Sequence, residues 1–199
     1  MRRSPAPALS RLQPVSRREE LLAVAARLFA DRGFTGVTMD DIGAAAGISG
    51  PALYHHFASK ESMLGEMLVS ISEHLHAQGA AIVAAGSPPA TTLERLVDAH
   101  VGFAVDHPEL ITVHFRDLVR APATDQRRVR TRQARYVDMW VGVLQAATVV
   151  TDERTTRAAV HAAFGLINST PQIRPARDLP TAALLRSMAL GAFHRLGEQ

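Results

Sequence analysis

Cysteine is absent from the 199 residues. That excludes a disulfide framework, a Cys-ligated zinc or iron–sulfur centre, a thiol nucleophile and a thiol-based redox sensor. No apolar run approaches the roughly 18 residues that span a bilayer. Arg2 and Arg3 are followed by no apolar h-region, so no secretory signal is expected. Catalytic signatures are missing as well: there is no H-E-x-x-H, no P-loop and no G-x-G-x-x-G. Gly47-Ile48-Ser49-Gly50-Pro51 misses the nucleophile elbow, because Pro51 takes the place of its last glycine and no strand precedes it. These absences leave no candidate catalytic residue and no expected cofactor or membrane partner. They favour a cytoplasmic, soluble chain that is not an enzyme, with a small helical enzyme as the competing class.

What is present is ordinary in amount and uneven in placement. A hydrophobic fraction of 47% against 21% charged residues suits a folded globular chain of one or two domains. The net charge is only +3. Residues 1–60 hold all of that excess, with seven arginines and Lys60, the single lysine, against five acids. Residues 61–199 balance at fourteen arginines and fourteen acids. A positive end on a neutral body suggests a polyanion partner for that end alone.

Helical signals dominate the chain. Residues 1–15, with Pro5, Pro7 and Pro14, read as a basic mobile arm. Ser16-Arg17-Arg18-Glu19 is a capping box. It opens a helix with Leu21, Ala25, Leu28 and Phe29 on one stripe, and Gly33 closes it. Thr38 caps a short helix to Ala46, and Gly47-Ile48-Ser49 turns the chain into a third helix with Pro51 in its first turn. Ser59 caps a fourth helix from Lys60 to about Ala85, with Met63, Met67, Ile71 and Leu75 on one face. A second capping box is expected at Thr91-Thr92-Leu93-Glu94. Further helices are expected to about Asp106, from Pro108 to Arg120, from Thr124 to Ala147, from Asp152 to Asn168, and from Pro180 to Leu196. The β-branched cluster at residues 148–151 is too short for a sheet, and 169–179 reads as a loop. The fold class is all-α, about nine helices.

Two short helices joined at Gly47 form a helix-turn-helix pattern, in which the second helix enters the DNA major groove. Ile42, Ala45, Ile48 and Leu53 are spaced to pack the pair. Ser49, Gly50, Pro51, Tyr54 and His55 are left on the outside of the second helix.

Residues 16–64 resemble the N-terminal domain of the TetR family of one-component regulators. The run from Thr38 to Ser49 is similar to that family's second helix and turn. Pro51-Ala52-Leu53-Tyr54-His55-His56-Phe57, with Ser59-Lys60-Glu61, is similar to its recognition helix and the start of its fourth helix. The resemblance implies a DNA-binding unit over 16–59 and a ligand-binding and dimerisation unit over 60–199. It implies a homodimeric transcriptional regulator, a repressor by expectation, that binds a palindromic operator and is released by a small effector. Thr38 and Lys60 would then meet phosphates, Tyr54 the backbone or a thymine, and Ser49, Gly50, Pro51 and His55 the base edges. Pro51 stands where many family members carry a longer polar or basic residue, which reduces direct base contacts. For Tyr54 and Phe57 packing is the alternative role. The N-terminal arginines would either enter the minor groove or form a solvated tail.

The body of the chain is compatible with that assignment. Ala158, Ala159, Ala162, Ala163 and Gly165, then Leu184, Leu185, Met188 and Ala192, supply small and apolar faces for a dimer bundle or for the chain's own core. Candidate pocket residues are Met67, Ile71, His100, Phe103, Phe115, Tyr136, Met139, Trp140 and Phe164, each with core packing as its alternative. Arg127, Arg128, Arg130, Arg132 and Arg135 form either a solvated face or an anion site. Some TetR relatives respond to acyl-CoA or lipid-like ligands, which an apolar pocket beside arginines would suit. His100, His107 and His114 recur every seven residues, but Pro108 interrupts the register and no carboxylate supports a metal site. A ligand-independent DNA binder remains the alternative within the same class.

Overall fold

The computed structural model describes residues 16–148, 152–173 and 179–196. The basic arm expected over 1–15 and most of the β-branched cluster lie outside them. Among the described residues the chain forms nine α-helices and one 3-10 turn. They are α1 (Arg17–Arg32), α2 (Met39–Ala45), α3 (Gly50–His56), α4 (Lys60–Ala84), α5 (Pro89–Asp106), α6 (Pro108–Asp117), α7 (Ala123–Ala147), α8 (Glu153–Ile167) and α9 (Thr181–Leu196), with the turn at Leu118–Arg120 after α6. The all-α expectation holds.

Most helix starts follow local chemistry. Ser16 and Glu19 cap α1 reciprocally, each satisfying a free amide of the other's residue. The box expected at Thr91 does not form. Helix α5 begins earlier, at Pro89, with no side-chain cap. Pro89 lacks the N–H that a first-turn position leaves unpaired and already has helical φ, so the proline pair starts the helix. The Thr92 hydroxyl instead donates to the Ser87 carbonyl at 3.0 Å. After α6, the turn tightens to 3-10 geometry, and the Gln126 amide caps the Val119 and Ala121 carbonyls at 3.0 and 2.9 Å.

Two hydrophobic cores result. Leu21, Phe29, Ile42, Leu53 and Phe57 form the first, together with Met63, Leu64, Met67 and Leu68 from the front of α4. Val113, Ala121 and Val129 close it from α6, the turn region and α7. Leu96, Trp140, Leu144, Ile167 and Phe193 centre the second. Helix α4 therefore belongs to both cores, and a division at residue 59 leaves its first turns packed with the N-terminal helices. Burying each large apolar side chain contributes about 1.5–3 kcal/mol, so α4 is held against both cores. Ala45, expected to pack α2 on α3, is exposed, and Ile42 and Leu53 make that contact buried.

Candidate nucleic-acid interface and ligand cavity

Helix α2 starts from a closed electrostatic pair. The Asp41 carboxylate accepts from the Thr38 amide at 2.8 Å and from its hydroxyl at 2.6 Å, and Asp41 N–H donates back to Thr38 Oγ1 at 3.1 Å. The Thr38 hydroxyl hydrogen bond, then its backbone one, holds Asp41 below the usual carboxylate range. Both Thr38 donors expected on a phosphate are thus engaged with Asp41. At the turn, Gly47 has φ 70°, a region where a side chain is strained. Gly43 is buried, and a Cβ there would stand 3.0 Å from the Ile48 carbonyl oxygen. Ile48 N–H closes the turn on Gly43 O at 2.9 Å. Gly43 is a requirement of the close helix approach that the sequence pattern did not single out.

Ser49 caps α3 through Ala52 N–H at 3.3 Å. Leu53 points inward with no exposure, while Pro51, Tyr54 and His55 are exposed, Tyr54 at 55%. Positions 50, 51, 54 and 55 share one side of a helix by their spacing. Gly50 is half-buried, its Cα facing the Asp40 carboxylate closely enough that a Cβ would meet Oδ1 at 2.0 Å. Phe57 is core.

The positive charge of this unit is mostly in use. Arg17 donates to Ala46 O at 2.7 Å. Arg18 lies 4.1 Å over the Phe57 ring, pairs with Glu66 and donates to His56 O, tying the end of α3 to α1 and α4. The Lys60 ammonium donates to Phe34 O at 2.8 Å and Val37 O at 2.6 Å, over the Phe34 ring at 4.4 Å. Two of its three donors therefore close the loop before α2.

In the body, helices α4 to α8 enclose a cavity of about 340 Å³. Ile71, His100, Phe103, Phe115, Tyr136 and Phe164 line it, as expected. Met67, Met139 and Trp140 do not. Met67 packs in the N-terminal core, Met139 stands against Gly79, and Trp140 is fully buried behind the wall. Ser72, Leu75, Leu110, Ile111, His114, Gln133, Val137, His161, Gly165 and Asn168 complete the lining. Gln133 and Asn168 carry no sequence signal for a pocket; the rotations of α7 and the end of α8 bring them to the wall.

None of the lining residues is Asp, Glu, Lys or Arg. His100 stacks on Phe164 at 4.6 Å and 17°, and Tyr136 stacks on the same ring at 5.6 Å. Burial lowers the His100 pKa to about 4, a side-chain interaction with Asn168 opposing it only in part. Burial also lowers His114, whose Nε2 is 2.8 Å from Gln133 Nε2. Both rings are neutral at pH 7, so the cavity carries no fixed charge from them. His107 lies away from it, 3.6 Å from Glu109. Among the described residues no group of three or more His, Asp and Glu is placed to hold a metal ion. The arginine run also lies elsewhere: Arg128 and Arg132 face Glu73 at 3.4 and 3.9 Å, and Arg130 donates to Gln126. Among the described residues no helix is long and apolar enough to cross a membrane.

An exposed helix-turn-helix face joined to a helical body, with a cavity free of Asp, Glu, Lys and Arg, is the arrangement of a DNA-binding regulator. Residues 21–67 match the model of bacterial regulatory proteins of the tetR family, and residues 86–172 match the tetracyclin repressor-like C-terminal domain. The chain is 37% identical over 145 residues to the HTH-type transcriptional repressor KstR2 of Rhodococcus jostii, covering 72% of this chain and 71% of that one. The structure of the ketosteroid transcriptional regulator KstR2 of Mycobacterium tuberculosis superimposes with a TM-score of 0.79 at 28% identity, over 92% of this chain and 96% of that one. AibR, in complex with isovaleryl coenzyme A and operator DNA, shares the fold with a TM-score of 0.76 at 19% identity, over 89% and 98%. The chain belongs to the TetR family of transcriptional regulators, and the repressor KstR2 is among its relatives.

Proposed function

We propose that this chain is a ligand-responsive repressor that binds a palindromic operator as a homodimer in the cytoplasm and is released by a small, largely apolar effector. The observation that carries the reading is an exposed Pro51–Tyr54–His55 face on a helix-turn-helix whose body holds an uncharged cavity. The DNA face is assigned to Thr38, Ser49, Gly50, Pro51, Tyr54, His55 and Lys60. Thr38 and Lys60 act there while also holding the local fold, Thr38 through Asp41 and Lys60 through the loop carbonyls. The division is a basic arm over 1–15, a DNA-binding unit over 16–59 and an effector and dimer unit over 60–199.

Dimer formation is assigned to α8 and α9. Ala158, Ala162 and Gly165 are exposed at helical spacing on α8, and Leu184, Met188 and Ala192 on α9. Ala163 and Leu185, in the same runs, are buried in the chain's own core. Large exposed apolar side chains beside small ones suit close approach of a second copy.

The effector reading rests on the cavity's chemistry. An acyl-CoA or lipid-like ligand would bury its apolar part there. A groove of about 820 Å³ shares Ile111, Phe115, Gly165 and Asn168 with the cavity and would take a polar remainder of the ligand outside the apolar wall. The arginine run of α7 is a solvated, paired face on this account. Titrating the chain and its operator with acyl-CoAs of increasing chain length tests the reading: anisotropy of labelled DNA falls with bound ligand if it holds, and stays constant at saturating ligand if it fails.

A further inference from the structure

The cavity's polar corner has a direction. His100, on α5, is only 3% exposed. Its Nδ1 is 3.3 Å from the Tyr136 hydroxyl. Among the described residues its Nε2 makes no hydrogen bond of normal geometry, and neither do Asn168 Oδ1 and Trp140 Nε1, although Asn168 stands near enough to act on the His100 ring. A buried polar atom left in this way costs about 1–3 kcal/mol, so such atoms mark a place where another group binds.

The proton arrangement follows from the donors available. The Tyr136 hydroxyl and His100 Nδ1 can pair in two senses. A phenol O–H is a stronger donor than a neutral imidazole N–H, and an imidazole nitrogen is a stronger acceptor than a phenol oxygen. The Tyr136 proton is then directed to His100 Nδ1. A neutral imidazole that accepts at Nδ1 carries its proton on Nε2. The pair Tyr136 and His100 therefore ends in one N–H donor, on a ring stacked against Phe164.

Resting on the reading of this cavity as the effector site, we propose that the effector presents a neutral carbonyl oxygen, of a ketone, ester or thioester, which accepts a hydrogen bond from His100 Nε2. A carboxylate is disfavoured beside His100 because no lining side chain is Lys or Arg and burial keeps the His100 ring neutral. Asn168 lines both the cavity and the outer groove, so the carbonyl sits where an apolar group inside meets a polar remainder outside.

The test uses full-length protein and four nine-carbon probes: 2-nonanone, 2-nonanol, 1-nonene and nonanoate, at pH 7.5. Binding is followed by displacement of an environment-sensitive dye and by the infrared carbonyl band of 2-nonanone. The ketone is expected to bind about tenfold more tightly than 1-nonene, the scale of one buried hydrogen bond. Its carbonyl band should move to lower frequency than in hexane. His100→Phe should abolish the preference of ketone over 1-nonene and the band shift, and His100→Gln should restore part of both. Equal binding of ketone and alkene with an unshifted band overturns the carbonyl assignment and leaves the cavity reading intact. Tightest binding by nonanoate overturns the neutral-acceptor claim. Failure of all four probes removes the effector site and the carbonyl assignment with it. The wild-type comparisons decide the matter even if the His100 variants do not fold.

Discussion

Arg116 on α6 donates to the carbonyl of Ala30, near the end of α1, at 3.2 Å. Its other terminal nitrogen donates to Phe29 O, and the same guanidinium pairs with the buried Asp117 at 3.0 Å. Helix α6 also supplies Leu110, Ile111, His114 and Phe115 to the cavity wall. One helix thus touches the cavity and grips the first helix of the N-terminal unit. On the proposed function, a ligand that repositions α6 would shift α1 through these hydrogen bonds.

That relationship predicts the effect of Arg116→Ala. Effector affinity should stay within about twofold, while the factor by which effector weakens operator binding should fall severalfold, the loss of about 1 kcal/mol of coupling. Paired titrations of effector with and without DNA measure both. An unchanged coupling factor would remove Arg116 from the connection.

Lys60→Ala is expected to destabilise the N-terminal unit by about 1–3 kcal/mol, because Phe34 O and Val37 O lose their shared donor. It should also reduce the salt slope of operator binding by about one, since the third ammonium donor is assigned to a phosphate. Chemical denaturation and salt-dependent anisotropy separate the two effects. Stability lost with an unchanged slope would make Lys60 purely a loop clamp.

Tyr54→Phe removes only a hydroxyl from an exposed ring. Operator affinity should fall about fivefold with no loss of thermal stability, as expected for one hydrogen bond made only in the complex. A stability loss with unchanged affinity would assign Tyr54 to packing.

Acid should destabilise the body through its buried histidines. The His100 pKa is about 4 in the fold, against 6.5 for an ordinary histidine. Between those values the unfolded chain binds more protons than the folded one, so stability falls as the pH falls. His100 alone accounts for about 3 kcal/mol, fully present above pH 6.5 and lost as the pH drops through 4. His114 and His74, also lowered by burial, act in the same sense. Denaturant midpoints between pH 7.5 and 4 check this, and His100→Phe should flatten the slope.

Much of the architecture was legible because helix caps and breakers are local. Ser16-Glu19, Gly47, Pro51 and Ser59 each specify their own turn, and the structure places them as expected. The box at Thr91 misled because Pro88 and Pro89, three and two residues earlier, start the helix first. The cavity was half legible. Apolar and aromatic residues mark helix faces, but which face turns to a wall depends on helix rotation, so Met67 and Trp140 became core while Gln133 and Asn168 entered the lining. The N-terminal charge was legible in amount only. Arg17, Arg18 and Lys60 hold carbonyls and a carboxylate of their own unit, a use that net charge does not reveal.

Selection of duplexes from a random DNA pool by the full-length chain tests the central claim most directly. The account predicts enrichment of an inverted repeat whose half-sites lie about one helical turn apart or a multiple of it. Retention of the enriched duplex should be lost in a Tyr54→Ala, His55→Ala double variant that still folds. Enrichment of a single asymmetric site, or of nothing above salt-dependent background, would contradict it.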